Sequence, residues 1–386
     1  LAVTDWMAGL YWLALAALVH TWGLYGLLLW VWSRLRSPVP ATPVPCATRT
    51  ISVIIAAHNE QDAIARRVED LTALRGAPAQ MEILVASDGS TDQTCAVVRA
   101  LQPAGVRLRL LEFAEHQGRA AVHNAAAREA RGDILVFTDA ETRFHEAFLE
   151  HILPHFADSR VAAVSGRISY VNEADSAITV SAGLYWTLEE RLRVWESRLG
   201  ILAFGTGAAF CMRRDCYVPM VRAHDDVDYA ETLALVGRGM RVQYEPRAVA
   251  YDRIAAQVAP THRARARRTS MAFRSILDGI LAHRLWRRPG ILFSVVSHKL
   301  LRHVSPALMV LLLLCNAALW TRGSWYRATL IFQAGFALVA LAGGLAQRWG
   351  WRPPPLAVPF AFVLLNFSRL AGLMGGLFRK PPSTYR

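Results

Sequence analysis

Lysine is nearly missing from this 386-residue chain: of 43 basic residues, only Lys299 and Lys380 are not arginine. Neither follows a glycine, so no GxxxxGK[ST] loop exists and the P-loop nucleotide hydrolases are excluded. Schiff-base chemistry is nearly excluded on the same ground. Cysteine is sparse as well. Cys46, Cys95, Cys211, Cys216 and Cys315 are scattered, odd in number and without a CxxC pair. This argues against structural zinc and a disulfide framework and fits reduced thiols in a cytosolic compartment. Charge is missing locally: Trp6 to Trp32 contains no Asp, Glu, Lys or Arg over 27 residues. What is abundant is apolar sequence, 53% of the chain, which excludes disorder.

The uncharged N-terminal stretch would form a helix of about 40 Å, more than a hydrocarbon core of about 30 Å requires. Tryptophans at both ends suit the interfacial belt, and Ser33-Arg34-Leu35-Arg36 closes it with positive charge, favouring a cytoplasmic exit. It is too long for a signal peptide and lacks a basic leader. Three further apolar runs lie at about 304–320, 328–346 and 356–377. The last carries Arg369, which is costly in lipid and so is expected to face protein. With four spans both termini fall outside, and the basic tail Arg379-Lys380 then disobeys the positive-inside rule. The expected organisation is a membrane helix at 1–36, a proline-rich linker at 37–48, a soluble domain at 49–269, an amphipathic interface region at 270–303 and a membrane region at 304–386.

In the soluble middle, strand-like runs at 51–57, 81–87, 106–111, 134–138 and 161–165 alternate with helical patterns at 60–75, 92–101, 118–131 and 144–157. That alternation predicts an α/β domain on a mostly parallel sheet, with ligands at the carboxyl ends of the strands. The polar clusters fall there: Ala57-His58-Asn59-Glu60, then Ser87-Asp88-Gly89-Ser90-Thr91-Asp92, then Asp139-Ala140-Glu141-Thr142. Each alone could be a turn and helix cap. Three converging on one sheet edge suggest carboxylates holding a hard divalent cation beside a diphosphate.

These motifs, with Gly118-Arg119 and Asn124, resemble those of the family 2 glycosyltransferases, inverting enzymes of GT-A fold. So do Phe204-Gly205-Thr206-Gly207 with Arg213-Arg214, His224-Asp225-Asp226-Val227-Asp228, and Gly239 through Pro246, in order over about 49–270. The flanking helices resemble membrane-embedded members such as the cellulose, hyaluronan and poly-N-acetylglucosamine synthases. The resemblance implies a Rossmann-like nucleotide-sugar domain inserted between transmembrane helices. It implies that Ala56, Ala57, Glu60 and Asp88 line the nucleoside pocket and that Asp139 sits by the ribose and diphosphate. Glu141, with Asp139, would hold Mg2+ or Mn2+, and Asp226, beside Asp225, would be the catalytic base. Gly205, Thr206 and Gly207 would lie on the acceptor side. Arg119 stands where lysine is frequent and keeps the charge as a planar fork.

Two departures from the family pattern stand out. Asp139-Ala140-Glu141 replaces DxD with a side chain one methylene longer. Thr261 through Arg268 stands where processive synthases carry QxxRW, with neither Gln nor Trp, although Arg267 or Arg268 could still meet the diphosphate. The chemistry needed is coherent. A carboxylate takes the proton of an acceptor hydroxyl, and the metal and arginines stabilise the leaving diphosphate. A single displacement then inverts the anomeric centre.

Other motifs fall short. Gly205-Thr206-Gly207 does not complete GxGxxG, and His145 through His151 misses HExxH because Leu occupies 149. Residues 253–303 hold eleven basic residues and one acid, Asp278. With no aromatic interleaving this reads as a juxtamembrane collar for donor and lipid phosphates rather than a nucleic-acid site. Met271, Phe273, Ile276, Leu277, Ile280, Leu281 and Leu285 give it an amphipathic stripe. The expectation is an inner-membrane, multi-pass enzyme with a cytoplasmic catalytic domain. It would move a sugar from a nucleotide-sugar, of the UDP class, to a polysaccharide or lipid-linked acceptor. The alternatives are a processive synthase that also extrudes its polymer and a non-catalytic membrane subunit.

Overall fold

The structure, a computed structural model, describes residues 2–36, 50–78, 80–171, 177–221, 227–253, 258–351 and 353–378. The chain opens with helix α1 (Ala2–Val19), a π-helical segment (His20–Leu24) and α2 (Tyr25–Leu35) in one line. Next come strand β1 (Ile51–Ala57), α3 (Ile64–Thr72), β2 (Met81–Asp88), α4 (Thr94–Ala100), β3 (Arg107–Phe113), α5 (Arg119–Glu129) and β4 (Ile134–Asp139). These alternate as the sequence predicts, because β1, β2 and β4 are apolar and buried along nearly their whole length. On α3, Ile64, Val68 and Leu71 recur at helical spacing and face the sheet.

The expected helix at 144–157 is broken up. It comprises β5 (Arg143–Phe144), α6 (Phe148–Ile152) and a 3-10 segment (Leu153–Ala157) in which Pro154 removes a backbone donor. Then follow β6 (Val161–Tyr170), α7 (Ala177–Leu199), β7 (Phe210–Arg213), α8 (Thr232–Gly237) and β8 (Arg241–Asp252). The eight strands are ordered β3-β2-β1-β4-β7-β6-β8-β5. β3, β2, β1 and β4 run parallel, β7 is antiparallel to β4 and β6, and β8 is parallel to β6. The sheet is therefore a parallel half joined through β7 to a mixed half.

The remaining helices are α9 (Val258–Ala282), α10 (Pro289–Ser294), a π-helical segment (Val295–Leu300), α11 (Leu301–Ala318), α12 (Ser324–Arg348) and α13 (Pro354–Phe378). Among the described residues, four helices are long and apolar enough to cross a membrane: Thr4–Leu35, Pro289–Ala318, Ser324–Arg348 and Pro354–Phe378. The second begins well before the apolar run read at 304–320. His298, Lys299 and Arg302 masked its start by lowering local hydropathy, yet all three are buried inside the protein.

Helix α9 packs closely on α13, where a Cβ on Gly372 would come 2.3 Å from the Ala266 carbonyl oxygen. His262 Nδ1 lies 2.8 Å from Ser368 Oγ across the same contact. The apolar stripe of α9 is divided between two environments. Met271, Phe273 and Ile276 are buried against protein, whereas Leu277 and Leu281 are exposed.

Candidate active site

Strand register builds the site. Ala56 pairs with Ala86 on one side and Asp139 on the other, and Ala57 pairs with Ser87. The carboxyl ends of β1, β2 and β4 are thereby brought side by side. The loops that leave them are stitched together. Asn59, in the left-handed region at φ 58°, accepts the Thr91 N–H at 2.8 Å, and Ser90 Oγ accepts the Asn59 N–H at 3.1 Å. Asp92 Oδ1 accepts the N–H of Thr94, the first residue of α4, at 2.9 Å.

Asp88 is buried, and its carboxylate accepts the Gln117 N–H at 2.7 Å and the Gly118 N–H at 3.0 Å. His116 Nδ1 lies 2.9 Å from the same carboxylate. Most of the acceptor capacity of Asp88 is thus spent holding the 116–118 loop. His58 Nδ1–H donates to the Asp88 carbonyl at 2.7 Å, and the His58 and His116 rings lie 4.6 Å apart. Neither histidine was singled out from the sequence, where each reads as an ordinary loop residue. Gly118 has φ 91°, a conformation that favours glycine, and it launches α5 so that Arg119 leads the helix. Arg119 Nη2 donates to Asp139 Oδ1 at 2.6 Å.

Glu60, Asp139 and Glu141 share one electrostatic neighbourhood. Burial, then repulsion from Glu141, Asp139 and Asp92, pushes the Glu60 carboxyl up to about 7. A fourth acid, Asp252 at the end of β8, belongs to the same field. Burial, with repulsion from Asp139 and Glu141, holds it above the usual carboxylate range, while Arg268 acts in the opposite direction. Register explains its place: Arg143 pairs with Tyr251 and Tyr170 with Asp252, so β8 ends beside the loop that carries Glu141. Sequence reasoning missed Asp252 because Pro246 reads as a strand breaker. β8 absorbs Pro246 in an irregularity where Gly166 pairs with Glu245 and Arg167 with Val249.

Beneath this edge lies Arg67, buried in α3, with its guanidinium 4.3 Å from the Phe144 ring centroid. Burial lowers its pKa to about 9, against the opposing pull of Asp70 and Asp139. Arg67 Nη2 donates to Thr138 Oγ1 at 2.7 Å, and Thr138 Oγ1 donates to the Ala208 carbonyl at 3.1 Å. Strand β4 is thus tied to the segment at 205–209.

That segment holds Gly205, Thr206 and Gly207. The Gly205 N–H donates to the Asp228 carbonyl at 3.2 Å, and the Gly207 N–H donates to the Asp228 carboxylate. Asp225 and Asp226 lie outside the described residues. Arg213 is structural, donating to the Val161 and Phe156 carbonyls at 2.8 and 2.6 Å. Arg267 and Arg268 sit on α9, Arg268 exposed and within electrostatic reach of Asp252 and Tyr170. Among the described residues, no group of three or more His, Cys, Asp or Glu side chains is arranged to hold a metal.

A parallel half-sheet with acidic loops at its carboxyl edge, extended by a mixed half, defines a Rossmann-like α/β fold of GT-A type. Residues 52–217 match the model of Glycosyl transferase family 2. A mannosyltransferase from Pyrobaculum calidifontis, solved in complex with GDP-Man and Mn2+, superposes with a TM-score of 0.71 at 22% identity. That likeness covers 96% of this chain and 99% of the other, and it shows the shared fold. An N-acetylglucosaminyltransferase of Rhizobium meliloti is 23% identical over 278 residues, 68% of this chain and 64% of the relative. A beta-monoglucosyldiacylglycerol synthase of Synechocystis is 26% identical over 178 residues, 44% of this chain and 37% of the relative. The chain spans less than two thirds of the length of either of these curated relatives.

Proposed function

We propose that this chain is an inverting glycosyltransferase. It would move one sugar from a nucleoside diphosphate donor, of the UDP-sugar class, to a polysaccharide or lipid-linked acceptor at the cytoplasmic face of a bacterial-type inner membrane. The observation that carries this is the register of β1 with β2 and β4. It gathers Glu60, Asp88, Asp139 and the Glu141 loop at one edge, with Arg119 paired to Asp139. The four apolar helices and the name of the Synechocystis relative support an acceptor presented at a lipid surface.

In this reading Ala56, Ala57, Glu60 and the loop held by Asp88 line the nucleoside pocket. Arg119 and Arg268 face the diphosphate. Asp139 and Glu141 would hold Mg2+ or Mn2+, and the repulsion that raises Glu60 fits a place where a cation relieves excess negative charge. The remaining ligands would be donor oxygens and water. When bound, such a cation stabilises charge on the leaving diphosphate. Asp226 takes the proton of the acceptor hydroxyl. The resemblance of His224-Asp225-Asp226-Val227-Asp228 to the family motif supports that role.

The test uses the full chain in nanodiscs with a panel of UDP- and GDP-sugars, Mg2+ or Mn2+, and polysaccharide and glycolipid acceptors. Metal-dependent release of nucleoside diphosphate is expected with one donor. Asp226→Asn should lower it by roughly a hundredfold or more, in line with loss of a general base. Absence of metal-dependent release with every donor and acceptor would sink the proposal.

A further inference from the structure

Among the described residues, a second cluster of buried charge forms where α7 meets the helices that follow α9. Glu189, Arg193 and Glu196, three and four residues apart on one face of α7, are buried, and so are His298, Lys299 and Arg302 opposite them. Glu189 accepts from Arg193 Nε at 3.1 Å, from Arg302 Nη1 at 2.7 Å and from Lys299 Nζ. His298 bridges both acids, Nε2 at 2.9 Å from Glu189 and Nδ1 at 2.8 Å from Glu196. Glu196 also accepts Tyr25 Oη–H at 2.5 Å and Ser294 Oγ–H at 2.9 Å, which brings in the first membrane helix.

Ion clusters that only join helices end on themselves, but this one extends towards the site. Arg193 Nη1 donates to Thr206 Oγ1, the central side chain of the acceptor segment. The Lys299 ammonium sits 5.4 Å from the ring centroid of Phe204, two residues earlier in the same segment. The Arg193 guanidinium is itself held between Trp186 and Tyr244, at 5.5 and 5.9 Å from their ring centroids. A planar fork that bonds Glu189 through one nitrogen and Thr206 through another fixes both at once, which an ammonium cannot do at this spacing.

We infer that Arg193 is a positioning residue for the segment at 204–207, and that Glu189, Lys299 and Arg302 transmit the position of the membrane helix to it. Acceptor geometry is thereby referenced to the membrane, whereas the donor edge is built within the soluble sheet. Assigning the segment to the acceptor rests on the function proposed above. The restraint on its backbone does not, and the test reads the restraint alone.

Hydrogen exchange is measured on the full chain in nanodiscs without substrate. It follows the amides of Gly205, Gly207 and Ala209, which donate to Asp228 and to the Thr206 carbonyl. Arg193→Lys keeps the pairing with Glu189 but gives up Thr206, and exchange there should rise about tenfold, with β1 and β4 unchanged. Thr206→Val should reproduce the effect while leaving the pairings with Glu189 in place, and the double variant should exchange no faster than either single one. Lys299→Met, with Arg193 intact, should raise exchange in the same segment several-fold. Unchanged exchange at 205–209, additive effects of the Arg193 and Thr206 variants, or equal loosening of β1 and β4 would each overturn the assignment to Arg193. No change with Lys299→Met would overturn transmission from the membrane helix.

Discussion

The donor edge and the membrane-side ion cluster both concentrate charge, and they handle it in opposite ways. At the donor edge Glu60, Asp139, Glu141 and Asp252 repel one another, and Glu60 is driven up to about 7. Around Glu189 burial also opposes ionisation, yet His298, Lys299 and Arg193 together hold its carboxyl well below the usual range. One region is left with excess negative charge that a ligand can satisfy. In the other, buried cations from the same protein meet Glu189, and the charge has become part of the fold. Charge density alone therefore does not mark a site; the state of its compensation does.

The largest effect expected from breaking this contrast is Glu189→Leu. It strands buried cations without their acceptor, a change worth about 3–5 kcal/mol, and should appear as a large fall in thermal midpoint in nanodiscs. At the donor edge the balance reverses. Glu141→Gln, at an exposed position, should change stability by less than about 0.5 kcal/mol, while nucleoside diphosphate release falls by orders of magnitude. A Glu141 variant that unfolds, or a Glu189 variant as stable as wild type, would erase the distinction.

The smallest effect is a pH dependence. Because the folded-state pKa of Glu60 is raised, the folded protein binds more protons than the unfolded chain between roughly pH 4.5 and 7, so this group removes stability as pH rises through that window. The loss is complete above about pH 7. After allowance for solvent screening it amounts to about 1 kcal/mol. Glu60→Gln should therefore raise the thermal midpoint at pH 8 and leave it unchanged at pH 4. A midpoint at pH 8 that does not move would show that Glu60 is not under this repulsion.

Much of the donor edge was legible because each part is local. An apolar run buried on both faces predicts a central parallel strand, and polar residues directly after it fall at the ligand-binding edge. Asp252 was not legible, since it reaches the edge only through a twelve-residue strand that carries Pro246. The arginine collar at 253–303 was legible as charge but not as orientation. Lys299 and Arg302 turn inward to Glu189, Arg274 Nε donates to the Gly376 carbonyl at 2.6 Å, and Arg288 Nε donates to the Gly237 carbonyl at 3.1 Å. Part of the positive charge read as a phosphate-facing collar is therefore used to hold helices together.

The sequence by itself determined three of the four apolar spans, the parallel strands β1 to β4 and the acidic strand ends, because hydrophobic period and turn chemistry depend on near neighbours. Only the tertiary structure decided which charges face a ligand and which face each other. Glu189 and Lys299 are separated by 110 positions along the chain, and no local pattern specifies that pairing. A buried ion is tolerated only where its counter-ion arrives, and here the folding of α7 against the membrane helix brings it.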